Sequence, residues 1–342
     1  MYSGHQYAAV KLPADKVSAF GNEFSLEYVS DDADSVLSRD LTSLPEQAGF
    51  AQRGAGDKAG ELNLRATYAG PETRTDYSHM RTWIAHQLLA GGYDAYRIDD
   101  EYPLCFDPKR RVSLKDVTDI MRNRFEGTGY APDETGRTNM RVIGTDTALS
   151  VHIAQIYPDL PASRSCVTWE SSGPAIYGVF VPVSNAATSV SAAYSANQPA
   201  GAKGTFDAQR YPYYAFKALC TLCVEPSTCA TYGRPVRDYW SKAEGNLVAS
   251  MDELLRATRS LKSDFLANIA ITAYCNRAQD RAFADAKALL NDVTYYISSN
   301  SNTLKNGRNP ETGEVLDERR AIPPLEVTLD PSAYALNVSR KG

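Results

Sequence analysis

Few side chains in this sequence have both the type and the spacing to do chemistry. Six cysteines are present, Cys105, Cys166, Cys220, Cys223, Cys229 and Cys275, alongside four histidines. Cys220 and Cys223 are spaced as in metal and redox motifs, with Cys229 nearby, but no second pair and no histidine cluster completes a zinc shell. The segment around them, YYAFKALCTLCVE, is apolar and favours buried or incidental thiols, with a disulfide or a metal role as the alternative. No phosphate-cradling loop is present, so no cofactor is implied. Three polar residues also stand out. Asn22 in FGNEF reads as a turn asparagine. Arg81 sits at the margin of an apolar helical stripe, where a charge should have a partner. His152 interrupts an apolar strand, the usual setting of a hydrogen-bonded core histidine.

These residues have to be placed by the surrounding elements, which are organised around residues 141–182. That stretch reads as three strands with two turns. Val151 to Ile156 and Ala175 to Val181 carry apolar side chains on both faces, so both strands are expected to be buried on two sides. Pro158, Pro161, Gly173 and Pro174 fall where connections are needed, which favours an antiparallel meander. Trp169 and Tyr177 are read as core aromatics.

Ahead of this stretch, His5 to Leu12 reads as a strand and Pro13 to Lys16 as a turn. Val17 to Phe20 is then expected to return as a hairpin partner. Residues 30–78 are polar and rich in Gly, Asp and Thr, predicting loop with a short helix near 34–40. Ser78 is read as a helix cap, with Met80, Trp83, Ile84, Leu88 and Leu89 as the apolar stripe and Gly91-Gly92 as the stop. Ser113 is expected to cap a second helix, with Asp116 at the capping-box position. Leu114, Val117, Ile120, Met121 and Phe125 face inward there, and Gly127 ends it. After the strands comes a small-residue loop, and then apolar spacings of three and four over 251–297 predict one or two long helices. Residues 299–313 are expected to form a polar loop, and 321–342 an extended or poorly ordered tail within one domain of 342 residues.

Composition narrows the class. A net charge of −5 without any basic block argues against nucleic acid or anionic membrane as the main partner. No apolar run is long enough for a membrane span, and the N-terminus lacks the signal-peptide pattern, so the expectation is a soluble, cytoplasmic protein. A homo-oligomer is compatible with this composition.

Several segments together resemble the dipeptidase A-type cysteine dipeptidases, a branch of the N-terminal-nucleophile hydrolases. They are YSGHQYAAVKLPADKVSAFGNEF at 2–24, SHMRTW at 78–83, PLCFDPKRRVSLKDVTDIMRNRFEGT at 103–128, and 141–182. The resemblance implies an α+β fold, an αββα sandwich with two antiparallel sheets between helix layers, and it implies hydrolysis of dipeptides. In that family a cysteine exposed at the mature N-terminus is the nucleophile, and its own α-amine, with a reference pKa of about 8, can act as the base. No cysteine stands near the start of this sequence, so the nucleophilic part is expected to be missing and Met1 to be an internal start, a truncated gene or a fragment boundary. The chain by itself is then expected to be inactive.

The resemblance also assigns roles to residues. Asn22 would donate amide hydrogens to the oxyanion, and Arg81 would favour a thiolate or hold an anionic group. His5 and Gln6, in the GHQY segment, and His152 are candidates for touching the dipeptide. Two other classes remain open: a binding protein that keeps the fold without the chemistry, and an acylase acting on a non-peptide amide.

Overall fold

The computed structural model describes residues 6–29, 33–69, 76–91, 97–98, 101–137, 139–196, 205–224, 229–261, 263–306, 309, 312, 314 and 323–336. They belong to two compact units, Met1–Ser113 and Leu114–Gly342. The sheets are small, one of two strands and one of three, mixed with helices in an α+β arrangement. Among the described residues no helix is long and apolar enough to cross a membrane.

In the first unit, strand β1 (Ala8–Val10) pairs antiparallel with β2 (Ser35–Leu37), Ala9 lying opposite Val36. This corrects the expected hairpin. The turn at 13–16 does form, Lys16 N–H donating to Pro13 O at 3.3 Å, but Val17 then exchanges both backbone bonds with Phe106, each 3.0 Å. Turn residues encode a reversal and leave the partner unspecified. The segment expected to be loop with a helix near 34–40 instead holds β2 and two short helices, α1 (Ser43–Ala48) and α2 (Leu64–Tyr68). Elements of three to six residues are too short for periodicity to reveal. Their ends are locally encoded all the same: Gly49 closes α1 at φ +76°, and the Asn63 side chain caps α2 by accepting from Ala66 N–H at 2.8 Å.

Helix α3 (Asp76–Ala90) starts before Ser78, which is therefore a buried first-turn residue and not the cap. Met80, Trp83 and Ile84 are buried as the stripe requires, but Leu88 is exposed and His79, Thr82, His86 and Gln87 are buried in its place. The helix thus buries a polar face as well as an apolar one. Gly91 at φ +129° ends it.

The second unit opens with α4 (Leu114–Arg122), after which Phe125 adopts φ +63° while fully buried, and α5 (Pro132–Thr135) follows. Strands β3 (Ser150–Ile156), β4 (Cys166–Ser172) and β5 (Val181–Ser184) form the antiparallel meander in that order. Trp169, on the central strand, faces Ile153 on one side and Pro182 on the other, and is completely buried. Two strand expectations are corrected. β3 is an edge strand whose residues alternate exposed and half-buried, leaving Ile156 62% exposed. Residues 175–177 form a 3-10 turn, and the third strand starts only at Val181.

The residues at 175–181 are buried as expected, but their backbone groups have other partners. Arg122 donates from Nε to Ala175 O at 2.9 Å and from Nη2 to Gly178 O at 3.2 Å, and Glu244 accepts from Phe180 N–H at 3.0 Å. The Phe180 N–H, satisfied this way, has no hydrogen left for a ladder.

Helix α6 (Ala192–Ser195) lies in the small-residue loop, followed by α7 (Pro212–Cys223), a π-helical turn at Cys229–Gly233, α8 (Arg234–Thr258) and α9 (Asp264–Asn306). Phe216 and Leu219 of α7, Trp240 and Met251 of α8 and Ile271 and Leu289 of α9 join Trp169 and Phe180 in one core. The expected loop from 299 is helical as far as Asn306. Extending a formed helix costs little per residue, and polar side chains bond back to it: Ser298 Oγ donates to Thr294 O at 2.8 Å and Asn300 Nδ2 to Tyr296 O at 2.9 Å.

In the tail, residues 323–330 lack regular structure, whereas Pro331–Tyr334 forms a 3-10 turn that packs on the helices. Tyr334 is 2% exposed, and its hydroxyl donates to Asp285 Oδ2 at 2.8 Å beside the Tyr239 hydroxyl at 2.6 Å. Tyr334→Phe removes one bond to a buried carboxylate and should cost about 1.5–3 kcal/mol of stability. Denaturant unfolding checks this; an unchanged midpoint would show that the tail is not held here.

Burial also sets a pH limit. It pushes the Cys220 thiol up to about 12, Cys275 up to about 11 and the Tyr274 phenol up to about 12. Tyr157 and Tyr239 are raised by burial and by Asp252 and Asp285 respectively. A folded-state value above the unfolded one stabilises fully below the unfolded pKa, about 8.5 for Cys and 10 for Tyr. That contribution is lost as pH rises through the folded value. The melting temperature should therefore fall steadily above about pH 9; a rise between pH 9 and 11 would contradict this assignment.

Candidate functional site

A cavity of about 320 Å³ opens in the first unit, where four stretches converge. Loop 19–27 contributes Glu23, Ser25 and Glu27, α2 and its cap contribute Asn63 and Arg65, and the segment after α3 contributes Glu101 and Tyr102. Helix α3 contributes His79, Thr82 and His86, which share a face because they are three and four residues apart.

Glu23 is held at both oxygens. Oε2 lies 2.9 Å from His79 Nδ1 and Oε1 accepts the Thr82 hydroxyl, which in turn accepts from Gly21 N–H at 2.8 Å. The Glu23 and His79 side chains are 12% and 11% exposed, so this pair is largely withdrawn from solvent yet open to the cavity. The His79 ring stacks on Tyr102 with centroids 4.6 Å apart, Tyr102 leans on His86 at 4.9 Å, and His86 stacks on Phe106 at 4.4 Å. This aromatic column fixes the histidine planes. Burial lowers the His86 pKa below its ordinary value, so its ring is neutral at pH 7 and donates from one nitrogen, next to Thr82 O at 2.9 Å and Pro103 O at 3.3 Å.

Across the cavity Arg65 lies 3.2 Å from Glu27 and 2.9 Å from Glu101, and Asn63 Nδ2 donates to Glu27 at 2.8 Å. The lining therefore carries three carboxylates, one guanidinium and two imidazoles. Among the described residues no group of His, Cys, Asp and Glu is arranged to hold a metal ion.

A second cavity of about 470 Å³ adjoins the first and shares Glu23, Phe24 and Ser25 with it. Its remaining wall is mostly apolar, with Phe20, Leu26, Leu41, Leu64, Tyr68 and Leu104. Among the described residues no cysteine lines either cavity.

The residues singled out from the sequence fall in several places. Asn22 and Arg81 are brought together, Arg81 Nη1 donating to Asn22 Oδ1 at 3.1 Å. A guanidinium only donates, so it fixes the orientation of the amide and leaves the Asn22 amide hydrogens for another acceptor. Asn22 is exposed beside Glu23, and neither it nor Arg81 lines the cavities. Gln6 lines the apolar cavity and donates to Asp40. His5 lies outside the described residues. His152 belongs to the second unit, exposed on β3 opposite Glu170, whose carboxyl is raised by burial. Glu23, Arg65, His79 and Tyr102 were not anticipated. The available signal is His79, Thr82 and His86 at helical spacing, a polar row beside the apolar stripe of the same segment.

Loop 19–27, α3 and the meander all lie within residues 1–234, which match the profile of the peptidases of family C69. The chain belongs to peptidase family C69. It is 27% identical over 220 residues to "Probable dipeptidase B" of Lactococcus lactis subsp. lactis (strain IL1403), covering 60% of this chain and 43% of that protein. It is 26% identical over 196 residues to "Probable dipeptidase B" of Streptococcus pyogenes serotype M1, covering 53% and 38%. To "Probable dipeptidase" of Salmonella dublin it is 26% identical over 186 residues, covering 53% and 42%. The matched stretch thus spans less than half the length of these curated relatives.

Proposed function

We propose that this chain forms the substrate-binding part of a dipeptidase that hydrolyses the peptide bond of dipeptides through a cysteine thiolate. The observation that carries the reading is the family match across residues 1–234, which contains the charged cavity. The chemistry of the cavity supports it. A dipeptide is a zwitterion and needs an anionic and a cationic contact within one small volume. About 320 Å³ is at the low end of the ~300–1,000 Å³ usual for small-ligand pockets. Glu23 is suited to the ammonium, since its carboxylate faces the cavity and each of its oxygens can accept from more than one donor. Arg65 is suited to the carboxylate, exchanging a protein carboxylate for that of the ligand.

Among the described residues no cysteine lines the cavity, and in this reading the thiol and its α-amine come from polypeptide outside these 342 residues. The thiolate attacks the peptide carbonyl, the amide hydrogens of Asn22 stabilise the oxyanion, and Arg81 holds Asn22 in that orientation. The cysteine's own α-amine takes the thiol proton on attack and passes it to the leaving amine of the product, and water then hydrolyses the thioester, releasing the acyl group as a carboxylic acid and restoring the thiol. Family membership equally supports an αββα sandwich as the complete fold, the three-stranded sheet being one part of it.

Calorimetric titration of the purified chain with a dipeptide panel, followed by amino-acid analysis, tests this. Binding without turnover is expected. Turnover by the chain alone would move the thiol into these 342 residues, and a panel in which nothing binds would overturn the reading.

A further inference from the structure

We propose that the apolar cavity beside Glu23 receives the side chain of the first residue of the dipeptide, which makes this a site for dipeptides with a large apolar N-terminal residue. The inference rests on the dipeptidase reading and deepens it. Its basis is a shared wall: Glu23, Phe24 and Ser25 line both cavities, so one carboxylate faces a polar chamber and an apolar one. In a dipeptide the ammonium nitrogen and the first Cβ are bonded to the same Cα. An ammonium placed on Glu23 therefore brings the first side chain to the junction of the two cavities. The second residue, carrying the free carboxylate, extends the other way, towards Arg65.

The two chambers differ in chemistry as this assignment requires. The polar one has Glu27, Arg65 and Glu101 around it, where a leucine or phenylalanine side chain would strip water from charges. The other offers Leu26, Leu41, Leu64 and Leu104, with Phe24 standing 39% exposed at the boundary. An apolar side chain gains by leaving water there and a charged one loses. Its volume of about 470 Å³ admits aromatic as well as aliphatic side chains.

The isomers Leu-Gly and Gly-Leu separate this idea from general dipeptide affinity, because they share composition and charge and differ only in which residue carries the isobutyl group. Calorimetric titration of the unmodified chain should show Leu-Gly binding at least about fivefold more tightly than Gly-Leu, since burying a leucine side chain is worth that or more. N-acetyl-Leu-Gly, which has no ammonium, should bind at least about tenfold more weakly than Leu-Gly. In Phe24→Ala the ratio of Leu-Gly to Gly-Leu affinity should drop towards one. Equal binding of the two isomers, or a ratio unchanged by Phe24→Ala, overturns the inference and leaves the dipeptidase reading standing. Binding of neither isomer overturns the inference, and only a dipeptide panel in which nothing binds overturns the dipeptidase reading with it.

Discussion

Glu244→Ala is expected to destabilise the second unit by about 3–5 kcal/mol. Glu244 accepts from Arg122 Nη1 at 3.0 Å and Nη2 at 2.6 Å and from Phe180 N–H at 3.0 Å, with 9% of its side chain exposed. Truncating it leaves the Arg122 guanidinium without its counter-charge while that group is still fixed to Ala175 O and Gly178 O and lies 4.8 Å from the Phe180 ring. The Phe180 N–H loses its acceptor at the same time. At about 2–4 °C per kcal/mol for a unit of this size, the melting temperature should drop by roughly 6–20 °C. Pairing Arg122→Met with Glu244→Leu should recover part of the loss, because the buried charge is then gone. A decrease below about 1 kcal/mol for Glu244→Ala would show that the pair does not organise residues 175–180.

Glu23→Gln should weaken dipeptide binding by about thirtyfold or more, since removing one partner of a withdrawn charge pair costs about 2–5 kcal/mol. The swap is close to isosteric: a glutamine oxygen can still accept the Thr82 hydroxyl that now donates to Glu23 Oε1, and the Gly21 N–H to Thr82 bond of 2.8 Å is untouched. What changes is the charge presented to the ammonium and the partner of His79 Nδ1, now 2.9 Å away. Stability should fall far less than for Glu244→Ala, because the swap keeps the side chain's shape and the pair opens to a cavity. Calorimetry with Leu-Gly reads the first effect and thermal melting the second. Unchanged affinity would remove Glu23 from the binding site, whereas lost affinity with a collapsed melting temperature would make it a structural residue.

The segment matches at 2–24, 78–83, 103–128 and 141–182 pointed to a dipeptidase family, and membership of peptidase family C69 agrees with them. The candidate site was far less legible. Asn22 and Arg81 stand out in the sequence independently of each other, and the structure joins them through a hydrogen bond of 3.1 Å. The cavity beside them depends on Glu23, Arg65 and Tyr102, from three stretches far apart in sequence, and no local pattern marks any of the three. His79 and His86 were hidden because a stripe is sought among apolar residues, and α3 buries polar ones on its cavity side.

The amino-acid sequence by itself determined what short-range chemistry can encode: the apolar spacing that yields α8 and α9, the Pro and Gly breaks that make β3 to β5 a meander, and the cap at Asn63. The tertiary structure alone decided which distant group each backbone and carboxylate would satisfy. β1 pairs with β2 and not with 17–20, Arg122 and Glu244 take the backbone of 175–180 from the sheet, and Glu23 meets His79. The physical reason is that conformational preference arises between neighbours in the chain, while every buried donor and acceptor must find a partner somewhere, and competition across the whole fold selects it.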